Sequence, residues 1–148
     1  MVLGLFGLGK KKAKRAVTEI KKFEKRDLAQ AVVNAAYLVA FADGELESSE
    51  KGKIEQVLRT NPVLANFTSE INSIAAEIIG KLETDIRIGR RSALREIEDV
   101  KGDQRECEDV MDVAVAIALA DGEIEPEEMK VLEQIAGVLG LRLENHLD

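Results

Sequence analysis

The sequence predicts an all-α protein, a single-domain bundle of about seven to eight helices that contains an internally duplicated helical hairpin. Three observations carry that prediction. Aromatics make up only 3% of the 148 residues and Trp is absent, while Ala, Ile, Leu and Val abound, a balance that suits helix packing and argues against a β-sandwich. Apolar residues recur at helical spacing along nearly the whole chain, and no six-residue stretch alternates as a half-exposed strand should. One stretch also resembles another at an offset of 78 residues. The length is that of about one ordinary domain, divided into a basic N-terminal arm, 1–26, and a helical domain, 27–148.

Residues 10–25 read as a basic amphipathic helix. Residues 28–42 follow with Leu28, Ala31, Val32, Ala35, Val39 and Ala42 on one stripe. Val33, Tyr37, Leu38 and Phe41 cover the other side and no charge falls between Ala31 and Ala42, so this helix is expected to be buried all round. A third helix, about 48–59, turns Ile54, Val57 and Leu58 inward and stops at Asn61-Pro62. The fourth, about 68–83, carries Ile71, Ile74, Ala75, Ile78, Ile79 and Leu82. A helix from Ile86 to Val100 breaks at Lys101-Gly102-Asp103. The next, about 104–120, is uncharged from Val113 to Ala120 and is therefore a second central helix. Residues 126–139 form the last one, which Gly140 stops.

Charge divides the chain unevenly. Of 21 basic and 28 acidic residues, residues 1–26 hold nine bases and two acids, a net of +7, and residues 27–148 carry a net of −14. An acidic body repels nucleic-acid phosphates and attracts cations or basic partners, so no nucleic acid is expected as a partner. The arm, with Lys10-Lys11-Lys12 after the apolar Met1–Leu8, suits anionic lipid, although Gly4–Gly9 also reads as a disordered start. No run approaches the roughly 18 apolar residues of a membrane span, the apolar segment precedes its lysines unlike a secretory signal, and Val2 excludes N-myristoylation. A cytoplasmic protein, peripheral at the inner face of the membrane, is expected.

Chemistry is restricted by scarcity. The lone Cys107 excludes an internal disulfide, and the lone His146, third from the C-terminus, leaves no internal imidazole for a Ser/His/Asp or Cys/His triad and no second one for an HExxH zinc site. Cys107 shares a face with Met111, Ala114 and Ala118 and reads as core, whereas His146 sits in a polar tail and reads as exposed.

Setting Ala31–Leu58 over Asp109–Ala136 aligns identical residues that include Ala36 with Ala114, Ala40 with Ala118, and the run Ala42-Asp43-Gly44-Glu45 with Ala120-Asp121-Gly122-Glu123. Glu47 falls on Glu125, Glu50 on Glu128, and Glu55-Gln56 on Glu133-Gln134. Two copies 78 residues apart are too few for a solenoid, so repeat units of about 28–58 and 106–136 are read as hairpins, each a buried helix, an acidic turn and an amphipathic helix.

The turns carry the candidate metal ligands Asp43, Glu45, Glu47 and Glu50, and Asp121, Glu123, Glu125 and Glu128, with no base inside either turn. Such crowding is unfavourable unless cations or helix N-termini relieve it, and a hard cation such as calcium or magnesium takes several carboxylate oxygens. Each turn has the second half of an EF-hand loop, Asp-Gly with an aliphatic two residues on and Glu six residues on, but the opening positions hold Val39 and Phe41 or Ile117 and Leu119. An open site is therefore expected in place of a full cage. Capping is the competing explanation: Gly44 and Gly122 suit left-handed helix ends at positive φ, Leu46 and Ile124 pin the turns, and Glu47, Glu50, Glu125 and Glu128 suit the next helix's N-terminus. It explains Asp43, Glu45, Asp121 and Glu123 less well, because these lie where a helix C-terminus disfavours negative charge. The chain reads as non-enzymatic, since two-metal phosphoester hydrolysis needs a cationic side chain that neither turn contains.

The paired Ala-Asp-Gly-Glu turns, the stretch Leu82-Glu83-Thr84-Asp85-Ile86-Arg87-Ile88-Gly89 between them, and Met129–Leu141 with its Ile135-Ala136-Gly137-Val138-Leu139-Gly140 resemble the TerB tellurite-resistance family over about residues 27–143. The resemblance implies a duplicated all-helical fold in the bacterial cytoplasm, divalent-cation binding by acidic clusters, and association with membrane-linked stress-response complexes. By position the family's acidic pattern falls on Asp43, Glu45 and Glu50 and on Asp121, Glu123 and Glu128. The second copy is richer in acid, which implies unequal affinities. The function expected is a metal-binding interaction module, with a metal-independent adaptor whose acidic face binds a basic protein as the alternative.

Overall fold

In the computed structural model, which describes residues 25–147, six α-helices and two 3₁₀ turns are present and no strand occurs among the described residues. Helix α1 spans 25–40, α2 Ser48–Thr60, α3 Thr68–Thr84, α4 Ile86–Glu98, α5 Gln104–Leu119 and α6 Pro126–Leu139. The 3₁₀ turns are Pro62–Phe67 and Leu143–His146. Among the described residues there are thus six α-helices, where seven to eight are expected of the whole chain; the expected helix 10–25 lies outside the described residues apart from its last residue, as does the basic arm apart from residues 25 and 26.

Helix α1 is enclosed by the others because it has no polar face to present: Ala29 and every residue from Ala31 to Val39 except Asn34 has no exposed surface. Asn34 is 4% exposed and is tolerated because its side-chain nitrogen donates to the Gln30 carbonyl at 2.8 Å. The Tyr37 hydroxyl is buried with no hydrogen-bond partner among the described residues, and burial together with the Glu55 charge pushes its pKa up to about 12. The second uncharged helix, α5, buries Val110, Met111, Val113, Ala114 and Ala118. Cys107 is core as expected, its thiol donating to the Val100 carbonyl at 3.4 Å.

Polar side chains set the helix starts. Asp85 accepts from the backbone N–H of Arg87 at 3.0 Å to begin α4, and Asp103 accepts from that of Glu106 at 3.1 Å to begin α5. Asn61 accepts from Val63 at 2.9 Å and opens a 3₁₀ turn, which buries Leu64 and Phe67, where the sequence reads only a break. Helices α3 and α4 pack as a tight pair, and the reason is Gly89: a Cβ there would lie 2.7 Å from Leu82 Cα. Helix α4 also packs on α6, and α5 on α6. The expectation for His146 is corrected, since its side chain is only 12% exposed and its Nδ1 lies 3.0 Å from Asp112 Oδ1, which ties the last turn to α5. No helix among the described residues is long and apolar enough to cross a membrane.

Candidate functional site

The α1–α2 and α5–α6 connections reverse the chain in the same way. Gly44 has φ 95° and Gly122 φ 94°, with their N–H groups donating to Phe41 and Leu119 carbonyls, both at 2.8 Å. Positive φ at these positions is what glycine tolerates and other residues resist. Leu46 and Ile124 pack partly buried against the core, and Glu47 and Glu125 sit at the two N-caps with extended backbone, φ −78°, ψ 149° and φ −71°, ψ 155°.

The two turns face one cleft of about 270 Å³, floored by apolar residues from the ends of α1 and α5 and by Ile54 of α2. Asp43, Glu50, Asp121, Glu125 and Glu128 line it, joined by Glu127. Glu45 and Glu47 do not: the chain leaving Gly44 carries them onto a second groove beside Lys51, Ile79 and Ile86. Glu123 is exposed and outside the cleft. The eight candidates thus reduce to five that share a space, drawn from both turns.

Within the cleft each acid is differently engaged. Asp43 Oδ1 accepts from the backbone N–H of Glu45 at 3.1 Å, a local turn contact. Glu128 Oε1 accepts from the backbone N–H of Glu125 at 2.8 Å and so caps α6. Its counterpart Glu50 makes no such bond, and among the described residues its carboxylate has no hydrogen-bond partner, so the capping explanation holds for the second turn and fails at Glu50. Glu50 is held above the usual carboxylate range by partial burial first and then by the charges of Glu47, Asp121, Asp43 and Glu128. Partial burial also raises Glu128, against its bond to the Glu125 N–H, with Glu125, Asp121 and Asp43 adding repulsion.

Sequence reasoning misses two cations that geometry brings in. Lys53, one turn past Glu50 on α2, reaches across to Asp121, Nζ to Oδ1 3.0 Å. Both side chains are more than half exposed, 57% and 58%, so the pair contributes no more than about 1 kcal/mol. Arg90 of α4 donates from Nη2 to the Ala42 carbonyl at 3.2 Å behind the first turn. The signal for Lys53 lies in the repeat itself, because its counterpart 78 residues on is the buried Val131.

The donor chemistry fits a hard cation: it is all carboxylate, Glu50 is unpartnered among the described residues, and Glu50 and Glu128 both resist ionisation. As the side chains stand, no three carboxylate, imidazole or thiolate groups among the described residues converge tightly enough to hold an ion. For the cleft to hold a cation, side chains would have to rotate and Lys53 would have to release Asp121.

Comparison with protein families matches residues 29–146 to the model described as tellurite resistance protein TerB. Curated proteins and solved structures yield no match. The matched span covers α5, α6 and both acidic turns, and all but the first few described residues of α1. The chain, a tellurite-resistance-related helical module, therefore belongs to the TerB family.

Proposed function

We propose that this protein is a non-enzymatic, divalent-cation-binding interaction module of a membrane-linked stress-response system of the tellurite-resistance kind, acting in the bacterial cytoplasm. The observation that carries the reading is the meeting of Asp43, Glu50, Asp121 and Glu128, two acids from each turn, in one cleft where Glu50 and Glu128 both feel Asp43 and Asp121. A calcium or magnesium ion bound there relieves that repulsion and joins the two hairpins, which are duplicated halves of one ancestral unit. Asp43, Glu50, Asp121 and Glu128 supply the first oxygens, Glu125 is within the same cleft, and Glu45, Glu47 and Glu123 contribute field, not ligation. The basic arm, 1–26, holds the body at anionic lipid on the inner face of the membrane. Calorimetric titration of chelator-treated protein with calcium and with magnesium tests the site. Saturable heat that Asp43→Asn with Asp121→Asn removes is the expected result, and no heat up to millimolar metal overturns it.

One observation favours a second reading, a metal-independent adaptor. Asp121 already takes a side-chain ammonium, that of Lys53. An acidic cleft that accepts one lysine from its own chain can accept basic side chains from a partner.

A further inference from the structure

Helix α4 is a basic island on the acidic body. It carries Arg87, Arg90, Arg91 and Arg95 and no lysine, against Glu96 and Glu98. Arg87, Arg91 and Arg95 follow one another at four-residue steps, so they stand on one face about 6 Å apart. All three are exposed, and among the described residues none forms an ion pair. Ile88 stands among them at 61% exposure, the most exposed large apolar side chain of the described residues. Gly89, Ala93 and Ile97 are buried on the opposite side of the helix, which packs on α3 and α6. The arginine face is therefore turned away from the helices on which α4 packs, and among the described residues no ion pair joins Arg87, Arg91 or Arg95 to the carboxylate cleft.

We infer that this α4 face docks into the acidic cleft of a second copy of the chain. Charge complementarity identifies the occupant. The cleft bears carboxylates from both turns, and among the described residues Glu50 has no hydrogen-bond or ion-pair partner. It already seats one cationic side chain, Lys53 on Asp121. The residue choice points the same way: the arm, 1–26, uses seven lysines and two arginines, as non-directional attraction permits, whereas α4 uses arginine alone. The guanidinium fork pairs with carboxylates through two parallel hydrogen bonds, which a lysine cannot do. Ile88 adds the apolar contact that the rim of a purely ionic interface lacks. Because the two faces differ, the contact is heterologous and propagates from copy to copy instead of closing as a two-fold dimer. The inference does not depend on metal binding, and chelator leaves it intact.

Sedimentation velocity of the full chain in chelator at low salt reads it directly. The mass is expected to rise with concentration above the 16.2 kDa of one chain and to return to that value at high salt. Arg87→Glu with Arg91→Glu and Arg95→Glu removes one face, and Asp43→Asn with Glu50→Gln, Asp121→Asn and Glu128→Gln removes the other; each variant alone is expected to be monomeric. Mixed, they retain one intact face each and are expected to form a 1:1 complex, an outcome that misfolding of either variant cannot produce. A wild-type chain that stays monomeric at low salt overturns the inference. So does assembly that survives the arginine reversal, which assigns the contact to the basic arm, and so does a mixture that fails to pair. Binding of phosphatidylglycerol vesicles that the arginine reversal abolishes, with the chain monomeric, assigns the face to lipid instead.

Discussion

The two acidic turns have nearly the same backbone and different side-chain employment. In each, a glycine near φ 95° turns the chain, an aliphatic pins it and a glutamate opens the next helix. In the second turn two acids are engaged, Glu128 on the Glu125 N–H and Asp121 on Lys53. In the first, Asp43 makes only a short turn contact and Glu50 is unpartnered among the described residues. The matching backbones bring carboxylates from both turns to one cleft, and the side chains around them decide which are already satisfied. An acid count favours the second turn as the stronger binder, whereas the hydrogen bonds make the first the readier donor.

Metal linkage is expected to separate the two turns most. At free calcium near 100 times the dissociation constant, linkage adds about 2.7 kcal/mol to stability. Glu50→Gln is expected to remove more of this gain than Glu128→Gln, because only Glu128 has to leave a cap before it can ligate. Denaturant midpoints with and without calcium measure the difference, and equal losses mean that the cap is no obstacle. Replacing the turn glycines comes next. A Cβ at Gly44 or Gly122 would meet nothing within 4 Å, so Gly44→Val and Gly122→Val report backbone strain with little steric clash, about 1–2 kcal/mol or somewhat more for a branched residue. The two costs are expected to agree within about 0.5 kcal/mol. A large disparity in chemical denaturation would show that the matching backbones are held differently.

The asymmetry of the caps gives a smaller effect. Glu128→Ala loses a cap and is expected to cost about 1 kcal/mol in metal-free buffer, while Glu50→Ala is expected to be neutral or slightly stabilising because it only relieves repulsion. Thermal melts of the two variants in chelator decide the point, and a comparable loss at Glu50 would mean that it caps α2 after all.

How far the sequence carries can be read at particular residues. Helices expected at 28–42, 48–59, 68–83, 86–100, 104–120 and 126–139 occur at 25–40, Ser48–Thr60, Thr68–Thr84, Ile86–Glu98, Gln104–Leu119 and Pro126–Leu139. Apolar spacing and short polar or glycine breaks encode these, because both are local. Positive φ at Gly44 and Gly122 was legible for the same reason. The site was legible only as two separate turns. That Glu45 and Glu47 leave the cleft depends on the path after Gly44, and that Lys53 enters it depends on where α2 lies against the second turn, both long-range facts. His146 reads as a tail residue until Asp112, 34 positions earlier, is placed beside it.

The pH dependence of stability tests the same cleft through its protons. Glu50 and Glu128 are both raised above the ordinary glutamate value of 4.5 in the folded protein. Near that value the unfolded chain releases these protons while the folded chain still holds them, so their contribution favours folding below it and is lost as pH rises through the folded values. Glu96, Glu106 and Asp109 are raised as well, all by partial burial first, and give a slope of the same sign elsewhere in the molecule. The cleft's share is therefore the difference between wild type and Glu50→Gln with Glu128→Gln, measured by urea denaturation from acid to neutral pH in chelator. The variant is expected to decline less steeply. Saturating calcium should invert the comparison, because a bound cation holds both carboxylates ionised and wild type then loses stability as pH falls. If calcium leaves the wild-type slope unchanged while the double variant still flattens it, the repulsion belongs to the cleft but no cation relieves it, and the adaptor reading replaces the metal one.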